Sequence, residues 1–160
     1  VTLLVSEEFN VGVSDVASEI TRMLSLDGGN SNMITITDAA WCLEGKGKLD
    51  IYRFEDISTN KQDNLSESQK FFLLYLKKDT FAEKQLIPIL KACTKDPNIS
   101  ILLVHENEFA KGGCDFDSVY STAPQDLIDP PCNLFRNIAI PLYKIYQYRE
   151  VSLRKILYKM

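Results

Sequence analysis

The chain has 160 residues, of which 45% are apolar and 25% charged, and its net charge is -4. These values suit one domain with a real hydrophobic core and exclude a disordered or membrane-embedded chain. The acidic balance argues against nucleic acid as a partner, which asks for a basic face, although Lys144, Arg149, Arg154, Lys155 and Lys159 crowd the C-terminal end.

Taken in chain order, Thr2–Val5 is a short apolar run that reads as a buried strand. Ser14 and Asp15 offer an N-cap. Val16, Ala17, Ile20, Met23 and Leu24 then recur at helical spacing, so residues 15–26 read as an amphipathic helix stopped by Asp27, Gly28 and Gly29. Residues 33–37 are β-branched and short, a second strand. Residues 38–48 form a loop with Trp41, Glu44, Gly45 and Gly47, and 49–68 is a polar, weakly helical connection. Residues 71–76 are apolar at every position, as in a strand covered on both faces. A helix follows over about 80–95 with Leu86, Ile89, Leu90 and Cys93 on one face; Pro88 predicts a kink or a late start. Residues 99–104 are a second central strand, 105–118 a loop, and 123–128 a short helix ended by Pro130 and Pro131. Residues 138–142 make a last strand, with Pro141 suited to a sheet edge, and 151–158 a closing helix.

Five strands alternating with helices predict an α/β fold with a flavodoxin-like, mostly parallel sheet flanked by helices. Ligands of such sheets bind outside the carboxyl ends of the strands, so the loops at 6–13, 38–48, 77–82 and 105–118 matter most. The cysteines, Cys42, Cys93, Cys114 and Cys132, form no CxxC motif and read as reduced thiols of a cytoplasmic protein, the alternative being a pair of disulfides in a secreted domain. No signal peptide or membrane span is visible. The chain begins at Val1, so residues 1–160 are expected to be one domain cut from a longer protein, which would be cytosolic or attached to a membrane by another segment. With one histidine in the chain, no histidine-rich metal site is expected.

Several segments together resemble a Toll/interleukin-1 receptor (TIR) domain, in a divergent form associated with microbial eukaryotes. Ser6 through Asn10, followed by Ser14-Asp15-Val16-Ala17, is similar to the family's first loop and helix. Thr37-Asp38 with Trp41-Cys42-Leu43-Glu44-Gly45-Lys46-Gly47 is similar to its second strand and the glycine-containing BB loop. SQKFFLLYLKKDTF, from Ser68 to Phe81, looks like the third strand and the start of the next helix. Ile101-Leu102-Leu103-Val104-His105-Glu106, Lys111-Gly112-Gly113-Cys114, and Tyr148-Arg149-Glu150-Val151-Ser152-Leu153-Arg154 complete the resemblance.

The resemblance implies an assembly module acting by self-association or by contact with another TIR-like domain, with Trp41, Leu43, Glu44 and Gly45 in the contact. It needs no cofactor and makes no membrane contact through this segment. The resemblance also implies an alternative, since some members hydrolyse NAD with a glutamate in a W-C-x-x-E-L segment. Here the equivalent stretch runs from Phe81 to Leu90, the glutamate position falls near Pro88 or Ile89, and Glu83 lies about one and a half turns earlier. Were NAD the substrate, Glu83 would be the carboxylate, and Ser6, Phe9, Trp41, Gly112 and Gly113 would lie in its binding loops.

Each candidate also has a plainer reading. Glu83 suits a ribose oxocarbenium-like centre, or merely the first turn of a helix. His105, at the end of the fourth strand, suits acid–base work with Glu106 and Glu108 beside it, or holds the next loop. Gly112 and Gly113 form a turn whose amides can cradle a phosphate, or a turn only. Trp41 suits an interface anchor or a cover for the sheet edge. A receiver domain shares the architecture, but Lys77 and Lys78 stand where its phosphoacceptor belongs and Asp79 comes late.

Overall fold

The computed structural model describes residues 1–29, 33–38 and 69–160. Trp41, Cys42, Leu43, Glu44 and Gly45, and the whole connection at 49–68, lie outside the described residues. Five strands, β1 (Thr2–Val5), β2 (Thr35–Asp38), β3 (Lys70–Leu76), β4 (Ile99–Glu106) and β5 (Ile140–Leu142), form one sheet in the order β2-β1-β3-β4-β5. Every pairing is parallel. The arrangement is α/β and consistent with a flavodoxin-like fold, whose strand order it follows.

Two cores account for the strand patterns. On one face, α1 (Val13–Leu26) and α5 (Tyr146–Lys159) pack over Leu3, Val5, Phe71, Leu73, Leu102 and Val104. On the other, α2 (Leu86–Lys95), α3 (Phe116–Thr122) and α4 (Gln125–Ile128) cover Leu4, Phe72, Leu74, Leu76 and Leu103. Helices on both faces explain why β3 is buried at each position from Phe71 to Leu76, with no polar alternation. β5 lies at the sheet edge, so Pro141 interrupts no ladder on its outer side.

Strands β2 to β5 shift from expectation by one or two residues at their ends, and α1, α2, α3 and α5 differ for physical reasons. α1 opens at Val13, and its cap position is Gly12 (φ 86°), not Ser14 or Asp15. The carboxylate of Glu7 does the capping instead, accepting N–H bonds from Gly12 (2.6 Å) and Ser14 (2.9 Å). α2 starts late, after a 3-10 turn at Thr80–Ala82, which puts Pro88 in its first turn where a missing N–H costs nothing. α3 occupies part of the expected loop; only its Val119 is buried, so it shows no apolar period. α5 begins at Tyr146, five residues before 151; the buried position in its first turn is Arg149, a charged residue that carries no apolar period.

Cys93, Cys114 and Cys132 are free thiols. Burial pushes the Cys93 thiol up to about 12, so it stays protonated and inert. No described helix is long and apolar enough to cross a membrane.

Candidate functional site

β1 and β3 are neighbours whose crossovers leave on opposite faces, α1 over one and α2 over the other. Such a divergence opens a crevice at the carboxyl ends of the strands. β1 pairs with β3 only as far as Leu4–Phe72, whereas β3 runs on to Leu76. The carboxamide of Asn10 takes over where β1 ends: its Nδ2 donates to the carbonyl of Tyr75 and its Oδ1 accepts the Tyr75 N–H, both at 2.8 Å. Asn10 is buried, so this double bond pins the loop after β1 to the strand end.

The crevice holds a cleft of about 230 Å³. Phe9, Glu83 and Gly112, three residues expected from sequence, converge on it with Glu8, Asp79 and Lys77. Among the described residues three carboxylates thus share the cleft with one ammonium, and the Lys77 Nζ already donates to the carbonyl of Val11 at 2.6 Å. Glu83 is exposed, precedes α2 and accepts the N–H of Gln85 at 3.1 Å. This environment favours a neutral or cationic centre over a phosphate. Among the described residues no cluster of His, Cys, Asp or Glu is set to hold a metal ion.

Other expected residues lie elsewhere. Ser6 is buried behind the loop, its carbonyl accepting the Asn10 N–H at 2.8 Å. Gly113 is a packing glycine: a Cβ there would stand 2.7 Å from the carbonyl oxygen of Glu106. Gly112 adopts φ 82°, a turn conformation glycine tolerates best, and its carbonyl accepts the Lys78 N–H at 3.0 Å. His105 is buried against the edge of Phe116, its Nε2 without a hydrogen-bond partner. Burial outweighs its bond to the Cys114 backbone and holds the imidazole below its ordinary value. A neutral, enclosed ring of this kind holds the β4–α3 loop rather than serving as an acid at the cleft.

Glu106 does not orient His105. Consecutive strand residues point to opposite faces, and Glu106 enters the α1–α5 face with no exposure at all. There it accepts the Tyr75 hydroxyl (2.7 Å) and the Arg149 guanidinium (3.1 Å), while Arg149 reaches Glu19 of α1 through Nε (2.6 Å) and Nη2 (3.0 Å). Burial and the Glu106 carboxylate together push the Tyr75 phenol well up. For Arg149, burial pulls the other way and the two carboxylates more than offset it. A carboxylate at the end of an otherwise apolar strand is the signal that foretells such a buried cation.

Compared with protein-family models, with curated proteins and with solved structures, this chain finds no match.

Proposed function

We propose that this chain is a TIR-like protein-interaction module that works by associating with a second copy of itself or with another domain of the same kind. The observation that carries this reading is the run of exposed apolar side chains where β5 passes into α5. Tyr143, Ile145, Tyr146 and Tyr148 are each 40–59% exposed, and the rings of Tyr143 and Tyr148 stack edge to face at 6.0 Å. Aromatic residues concentrated on a surface are the usual anchors of protein contacts. Exposed Lys144 stands within the run and exposed Lys155 about two helical turns beyond Tyr148, while Asp115, Asp117 and Asp129, on or beside α3 and α4, are exposed acidic side chains. That pairing supports a homotypic, head-to-tail contact. The expected contact loop around Trp41 joins this proposal on its sequence alone.

The test is light scattering over a concentration series with wild type, Tyr146→Ser/Tyr148→Ser, and Trp41→Ala/Glu44→Lys. Association that grows with concentration and weakens in either double variant supports the reading. A strictly monomeric wild type, or association untouched by both variants, contradicts it.

A second reading rests on Glu83 in the switch-point cleft: an NAD-cleaving hydrolase in which that carboxylate stabilises positive charge on the ribose as nicotinamide leaves. Nicotinamide release by concentrated protein, lost in Glu83→Gln, supports it; no release under conditions that permit assembly ends it.

A further inference from the structure

A second cleft, of about 580 Å³, opens on the α1–α5 side of the strand ends and carries the opposite charge. Among the described residues that line it, Arg22, Lys77, Lys111 and Arg149 stand beside two carboxylates, Asp15 and Glu19, on a chain whose net charge is -4. Glu19 is committed to Arg149, and Arg149 to Glu19 and Glu106, so the cations that face the open volume are Arg22, Lys77 and Lys111. Arg22 has no ion-pair partner among the described residues, and Lys111 stands 3.7 Å from Glu108 with nearly half its side chain exposed.

The floor is fixed before any ligand arrives. Arg149 and Tyr75 are both buried and locked by the four-residue network, and Lys77 lies over the Tyr75 ring at 5.3 Å. A rigid polar floor with cations along its walls, in a concavity of metabolite size, is what a small-molecule anion site requires. Low-dielectric walls strengthen the attraction of such a cleft for an anion.

We infer that this cleft binds a small molecule bearing a phosphate or diphosphate group, held between Arg22 on α1 and Lys111 on the loop after β4. An acidic protein segment suits it less, because its carboxylates are spaced along a chain, whereas a diphosphate brings its charges together on adjacent phosphorus centres. Its described lining residues do not include the exposed aromatics of the association surface, and Lys77 is the residue the cleft shares, among those described, with the acidic switch-point cleft.

Isothermal titration of the whole chain with inorganic pyrophosphate tests the assignment, comparing wild type, Arg22→Gln/Lys111→Gln and Lys95→Gln, an exposed position at the end of α2 on the other face of the sheet. Saturable binding by wild type and Lys95→Gln, weakened at least about tenfold in the double variant, is the expected result, the scale of losing one charge-assisted contact. Binding should also fall as salt is raised. Absence of saturable binding by wild type, or equal affinity in the double variant, overturns the proposal. So does saturable binding of a polyglutamate peptide without binding of pyrophosphate, which would assign the cleft to a protein partner.

Discussion

Glu106 and His105 are adjacent in sequence and opposite in role. Glu106 belongs to a fully enclosed ion pair, and removing one member of such a pair leaves the other charged and unpaired. Glu106→Leu is expected to destabilise the fold by about 3–5 kcal/mol in chemical denaturation, with much of the loss recovered in Glu106→Leu/Arg149→Met. His105 makes a separate, pH-dependent contribution. Burial holds its folded value below the ordinary 6.5, so the unfolded chain takes up a proton where the folded chain does not. Stability is therefore fully present above pH 6.5 and falls as pH drops from there towards the folded value. His105 is the only histidine, and the denaturation midpoint of His105→Gln should be flat over pH 5.5–7.5 while that of wild type declines towards the acid end. Residue types alone singled out His105 and Glu106; strand alternation, which sends them to opposite faces, decides what each does.

At the scale of elements, the junction between β1 and α1 is built from side chains doing backbone work. Asn10 extends the β1–β3 ladder, and Glu7 satisfies the first free N–H groups of α1. Burial tends to raise the Glu7 carboxyl, but the bonds from Gly12 and Ser14 prevail and hold it below its ordinary value. Asn10→Ala strands the buried N–H of Tyr75, whose C=O keeps the Thr80 hydroxyl at 3.2 Å; a loss of about 1–3 kcal/mol is expected, measured as a shift in the urea midpoint. The elements legible in the sequence were those with a clean period: the continuous runs of β3 and β4, the helical stripe of α1, and the buried face of α2. α3 was hidden because only one of its side chains is buried, and the first turn of α5 because its core position is an arginine. Of the candidate site, Phe9, Glu83 and Gly112 were legible since strand-end loops meet in any sheet of this order. Asn10 and Lys77 were not, because their positions depend on where β1 stops relative to β3.

For the whole molecule, the five-strand parallel sheet separates three surfaces: an acidic switch-point cleft, a basic cleft across α1 and α5, and an aromatic surface at the β5–α5 junction. The aromatic surface carries the proposed association, since among the described residues its side chains belong to neither core and to no ion pair. Hydrogen exchange of the intact chain, recorded at low and at high protein concentration, tests that claim most directly. Protection that rises with concentration across residues 143–151 is the predicted result. Identical exchange at both concentrations, or concentration-dependent protection confined to other parts of the chain, contradicts it.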